Sequence, residues 1–210
     1  MENKPSEEGK QEVISRSAKL REFSEYRHLS GLDKIGRRAF ANNAFDGILT
    51  MIGVLMGFYI GRISDPHIIL YTGLATCMAM GISGFSGAYM AESAERQNDL
   101  QELEHAMLRD LKETKQARAH RFAVIVVALI DGLSPLVSGT IVLLPFLLAN
   151  IWGSVQYSYI SSLVIAMTLL FALGAFLAKV SRDSILRSGI RMTLAGVACV
   201  LLSFLLNVRG

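Results

Sequence analysis

Polar and apolar residues fall in long blocks along this chain. Five stretches, 39–61, 67–91, 122–150, 157–180 and 189–207, are nearly unbroken runs of aliphatic, aromatic and small residues. A helix needs roughly 20 residues at about 1.5 Å each to cross a hydrocarbon core of about 30 Å. Each run is long enough, so the pattern predicts an all-α membrane protein with five transmembrane helices. The organisation that follows is a polar segment over 1–38, helices one and two over 39–91, a polar acidic helix over 92–121 that extends the second span toward Ala119, and helices three to five over 122–210. Within the first segment, residues 1–10 read as disordered. Residues 11–29 alternate charge with Val13, Leu20, Phe23 and Tyr26, as an amphipathic surface helix does.

Charge placement gives the spans a direction. Of the 21 lysines and arginines, nine precede Phe40, six lie in 92–121 and four in 179–191. Five spans put those three groups on one side and leave Arg62 in the first loop of the other side. By the positive-inside rule the basic side is the cytoplasm, with the N-terminus inside and the C-terminus outside. Removing any span would scatter the arginines and lysines over both sides. Trp152, Tyr157 and Tyr159 then stand where an outer aromatic belt is expected.

Composition narrows the function classes. At 51% hydrophobic and 19% charged residues the chain is too apolar for an ordinary soluble domain, and its net charge of +3 is gathered in loops, which excludes a general nucleic-acid binder. Cys77 and Cys199 both lie in apolar runs, so no disulfide framework is expected. No apolar leader opens the chain, so a cleaved secretory signal is not expected. No catalytic constellation, phosphate-cradling loop or helical zinc motif is present, which disfavours an enzyme, a nucleotide-driven pump and a resident cofactor.

Two carboxylates interrupt the spans, Asp46 and Asp131. Each costs about 2.5 to 3.5 kcal/mol at the centre of a membrane helix, so each is expected to face a bundle interior or water. Asp46 follows Arg38 by eight residues and Asp131 follows Arg121 by ten. Both therefore sit roughly 12 to 15 Å from the cytoplasmic boundary, a depth at which they can converge. Locking of helix packing is the competing role. Five of the nine methionines, Met51, Met56, Met78, Met80 and Met90, crowd the first two spans. Thioethers are soft ligands for Fe(II) or Cu(I), though more often packing filler. Gly53, Gly57 and Gly61 in the first span and Gly81, Gly84 and Gly87 in the second predict close packing of these two helices on each other or across a dimer axis. Pro135 and Pro145 loosen the third span and hint at a cavity.

On a helical wheel Glu92, Glu95, Asp99, Glu102, Asp110 and Glu113 share an arc of about 80°. Leu100, Leu103, Met107 and Leu111 form an adjoining stripe that must pack on something. His105 points away and reads as a surface histidine. Like charges at i+3 and i+4 repel, and Arg96, paired with Glu92 or Asp99, offsets only part of the excess. Clustered carboxylate oxygen suits hard or borderline divalent cations, and a solvated acidic face is the alternative.

In two segments, Phe45-Asp46-Gly47-Ile48-Leu49-Thr50 and 81–95 (Gly-Ile-Ser-Gly-Phe-Ser-Gly-Ala-Tyr-Met-Ala-Glu-Ser-Ala-Glu), and in its five-span order, the chain resembles the vacuolar iron transporter family. The resemblance implies a homodimer in membrane lipid that moves divalent metal ions, Fe(II) and often Mn(II), out of the cytoplasm in exchange for protons. It further implies that Asp46 lies on the path and that Glu95, Glu102 and neighbouring carboxylates gather metal at its mouth. Where the family's second span usually has Asp-x-x-Ser-Met, this chain has Met80-Gly81-Ile82-Ser83-Gly84, and the family's Gly-Glu-Tyr is here Gly87-Ala88-Tyr89. Met80, Met51 and Asp131 are the residues expected to complete the path. A prokaryotic plasma membrane is the expected location. The reading from another class is a non-transporting membrane scaffold or metal sensor whose acidic helix binds a partner.

Overall fold

The computed structural model describes residues 32–108, 114–149 and 154–208. They form five α-helices: α1 (Leu32–Ile60), α2 (Pro66–Met107), α3 (Lys115–Leu147), α4 (Val155–Ser181) and α5 (Ile185–Val208). All five are long and apolar enough to cross a membrane. Large apolar side chains stay exposed on every one of them, among them Phe40, Tyr71, Leu133, Val164 and Leu201. Water would oppose so much exposed apolar surface, whereas lipid tails are as apolar as the side chains.

Helix boundaries differ from the sequence reading at the polar segment. α2 runs unbroken through Glu92, Glu95, Asp99 and Glu102 but stops at Met107, well short of Ala119, and Leu108 has φ 49°. A leucine in the left-handed region cannot propagate a right-handed helix. α3 then begins at Lys115, with Arg118 and Arg121 inside it and not before it. Thr114 caps it: its hydroxyl oxygen accepts the Ala117 N–H at 3.3 Å, and its carbonyl accepts the Arg118 N–H at 3.2 Å. The amphipathic stretch at 11–29 and Trp152 lie outside the described residues.

The described residues divide into two compact units, one within 38–87 and 128–208 and the other within 32–37 and 88–127. The first holds the main core. Ile48, Met51, Ile52, Leu55 and Met56 of α1 pack with Ile69 and Cys77 of α2, with Val142, Leu143 and Phe146 of α3, and with Tyr159, Ala166 and Leu170 of α4. A second cluster joins Ala41 and Ala44 of α1 to Leu173 of α4 and Met192 of α5. α1 is thus the helix around which the others assemble. In the smaller unit, Ala123 and Val127 pack with Ile35, Phe122 and Val126.

Glycine sets the closest approaches within the chain, and these bring α3 against α1 and α2. The α1 and α2 glycine rows do not meet. A Cβ on Gly84 would lie 2.8 Å from the Asp131 carbonyl oxygen, and one on Gly132 2.7 Å from the Gly81 carbonyl oxygen, so α2 crosses α3 here. On α1 the tight position is Gly47, where a Cβ would lie 2.6 Å from the Pro135 Cα; Gly57, like Gly87 on α2, has open space. Pro135 explains part of this geometry. It has no N–H, so the Asp131 carbonyl loses its i+4 donor and is left facing the Gly84 backbone. Cys77 and Cys199 are free thiols.

Two of the helix ends use an arginine where glycine is usual. At the end of α1 the Ile63 N–H donates to the Phe58 carbonyl at 3.0 Å and the Arg62 N–H to the Tyr59 carbonyl at 3.1 Å, with Arg62 at φ 55°. Arg182 takes φ 57° after α4, and the Asp183 N–H donates to the Ala178 carbonyl at 3.1 Å. These are Schellman ends with a side chain at the left-handed position. Gly84→Ala is expected to lower stability by about 1 to 3 kcal/mol, because its methyl meets backbone that cannot yield. Gly87→Ala is expected to be neutral or slightly stabilising. Thermal unfolding of the two variants in detergent checks this contrast.

Candidate functional site

The larger unit brings three polar side chains of the spans together. Asn43 of α1 donates from Nδ2 to Asp131 Oδ1 of α3 at 2.8 Å and also to the Ala39 carbonyl at 2.9 Å. One turn along α1, Gly47 lets α3 come close enough for the Ser138 hydroxyl to donate to the Ala44 carbonyl at 3.1 Å. Asp131 is half-buried, so an amide donor satisfies it where water is scarce. Asn43, which the sequence reading did not single out, thereby ties one acidic residue to the helix that carries the other.

Asp46 is placed differently. It is one helical turn beyond Asn43, it is exposed, and among the described residues it makes no hydrogen bond or ion pair. The same side of α1 carries Asn42, Thr50 and Gly57, also exposed. This face is rich in polar and small residues, with Leu49 at i+3 only partly buried beside the carboxylate. A bare carboxylate is costly against lipid, so the strip requires water or a covering surface.

The sulfur groups sit elsewhere. Met51 is fully buried in the core, five positions from Asp46 and about 140° around the helix. Its Sδ accepts a long contact from Cys77 Sγ at 3.5 Å, and a Cβ on Gly139 would press on both residues. Met80 is half-buried and packs against the same core.

In the smaller unit the acidic residues separate into two kinds. Glu92 Oε2 accepts from Arg96 Nε at 3.0 Å, and the arginine side chain is 9% exposed. Glu95, Asp99 and Glu102 are exposed, and Glu102 accepts a weak bond from Asn98 at 3.4 Å. Asp110 and Glu113 lie outside the described residues. Among the described residues, no group of three or more His, Cys, Asp or Glu side chains is gathered closely enough to hold a metal ion. Leu100 and Leu103 of the adjoining stripe are half-buried, and His105 is exposed. Between this part of α2 and the start of α3 lies a cavity of about 450 Å³ lined by Tyr89, Ser93, Arg96, Glu104, His120 and Arg121 among others. The His120 Nδ1 is buried there with no hydrogen-bond partner among the described residues. Sequence reasoning missed this cavity because it placed Arg121 at the end of the polar helix over 92–121 and did not single out His120; the Thr114 cap is the signal that places both on α3.

The comparisons with known proteins agree with this architecture. A protein of Methanocaldococcus jannaschii, itself described as uncharacterized, is 28% identical over 175 residues, which cover 82% of this chain and 88% of that one. The model of the VIT family, a family associated with metal-ion transport across membranes, matches residues 38–120 and 102–207. Those matches take in all five helices, and the chain is an integral, multi-pass membrane protein that belongs to the VIT family.

Proposed function

We propose that this protein exports divalent transition metal, Fe(II) or Mn(II), from the cytoplasm in exchange for protons, and that it does so as a homodimer. The observation that carries the reading is Asp46, exposed and without a partner among the described residues, on a face of α1 rich in small and polar residues. A second copy laid on that strip would bring two carboxylates to one axis and remove them from lipid. Small residues allow the backbones to approach. Proton and metal compete for the same carboxylate oxygens, so a group that releases one can take up the other. Asp46 is then the exchanging group.

Asp131 serves beside it, held in place by Asn43, and Met80 offers a softer donor on the neighbouring helix. Met51 is sealed against Cys77 and supports the path as packing. Glu95, Asp99 and Glu102, exposed on α2, gather metal ahead of Asp46 by raising its local concentration. Asp110 and Glu113 extend that acidic face in the sequence. The family association with metal-ion transport supports the reaction class; the metal, the direction and the proton exchange are what the resemblance implies, and exposed carboxylates are groups that suit such an exchange.

In proteoliposomes loaded with a metal-sensitive dye, Asp46→Asn is expected to lower Fe(II) or Mn(II) flux by roughly tenfold or more, the loss of one charged ligand. Flux into the vesicles should rise when their interior is made acidic, because protons leave as metal enters. Equal traces for wild type and Asp46→Asn would instead support a non-transporting scaffold or sensor. A triple variant, Glu95→Gln with Asp99→Asn and Glu102→Gln, is expected to raise the metal concentration for half-maximal flux several-fold with little change in the maximal rate. Initial rates against metal concentration check that separation.

A further inference from the structure

At the end of the bundle where α1 gives way to α2, two cavities of the larger unit adjoin. One, about 410 Å³, is lined by Arg62, Ser64 and Gln156 together with Tyr59, Tyr159 and Phe204. The other, about 210 Å³, shares Tyr59, Gln156, Tyr159 and Phe204 and continues along Leu55, Leu163 and Val200. Together they form one cleft that is charged at its mouth and apolar at its base. Leu55 lies in the last turns of α1 and Arg62 just past its end, seven residues on, roughly 10 Å along the helix axis. That is the depth over which a bilayer passes from headgroup to acyl chain.

We propose that this cleft is a binding site for one anionic phospholipid, its phosphate on Arg62 and an acyl chain on the apolar base. The charge at the mouth is uncommitted. Arg62 is exposed and makes no ion pair with a described residue, and no acid lines the cavity. The adjacent Asp65 is engaged elsewhere: its Oδ1 accepts the His67 N–H at 2.9 Å and caps α2. The walls are set before any ligand arrives. Tyr59 stands edge-on to Tyr159 at 5.5 Å and to Phe204 at 6.5 Å, and the Tyr159 hydroxyl donates to the Ile63 carbonyl at 2.9 Å. Tyr59, Phe204 and Ile160 remain 41%, 43% and 55% exposed, so the cleft opens sideways, where lipid lies. Its chemistry selects among occupants. A metal cation is repelled by Arg62, and a free inorganic anion leaves the apolar base unfilled, whereas a phospholipid satisfies both ends.

Arg62 also holds its place against a local preference. It occupies the left-handed position of the helix end, where glycine is favoured. Arg62→Gly therefore removes the charge while relaxing the backbone, and its melting temperature in detergent should equal or exceed that of wild type.

The full chain is equilibrated with micelles holding equimolar phosphatidylglycerol and phosphatidylcholine of the same acyl chains, and retained lipid is counted by native mass spectrometry. Wild type is expected to keep phosphatidylglycerol over phosphatidylcholine by roughly fivefold, the worth of one interfacial arginine. Arg62→Lys should keep most of that preference, Arg62→Gly should bring it close to parity, and Leu163→Trp should lower retention of both lipids. An unchanged preference in Arg62→Gly overturns the proposal, as does displacement of the lipid by millimolar inorganic phosphate, which would mark a free-anion site.

Discussion

The bond from Asn43 to Asp131, 2.8 Å long, answers the constraint under which the whole protein is built. Hydrocarbon supplies no hydrogen bonds, so a polar group carried into it must find its partner within the protein or in trapped water. Asp131 finds one on α1. The same requirement shapes its backbone. Pro135 takes away the donor that the Asp131 carbonyl would have used, and the glycines of α2 bring another backbone to that spot. Side chain and main chain of one residue thus join α3 to two different helices.

Against that background Asp46 stands out by contrast. Its neighbour one turn back is bonded, while Asp46 is exposed and unpartnered among the described residues. Two carboxylates at similar depth have been given opposite environments: one fixed by an amide, the other on an open strip of small and polar residues. A fixed carboxylate suits positioning, and an open one suits exchange of a proton for a cation. The methionines divide similarly, with Met51 enclosed and Met80 at the margin of the core. A lateral cleft at Arg62 adds a place where surrounding lipid meets charge and aromatic rings.

Much of this was legible in the order of residues. Five apolar runs predicted five helices, because spanning length is fixed by bilayer thickness and helix rise. The rarity of acids within those runs pointed to Asp46 and Asp131 by cost alone. The stripe of Leu100, Leu103, Met107 and Leu111 beside the acids pointed to a packed side; Leu100 and Leu103 are half-buried, Met107 at the helix end is exposed, and Leu111 lies outside the described residues. Asn43 gave no comparable signal, since a polar amide near a span end is unremarkable until its partner 88 residues away is known.

The sequence by itself determined the number of helices and the identity of the costly groups, because those follow from local periodicity and transfer energy. Only the tertiary structure decided the pairings. It set Gly84 against α3 and not α1, bonded Asp131 and left Asp46 open, and stopped α2 at Met107 through a left-handed Leu108. Such choices depend on which helix lies across from which, and a one-dimensional pattern does not carry that information. Glycine rows declare that backbones will approach closely, but they do not name the neighbour.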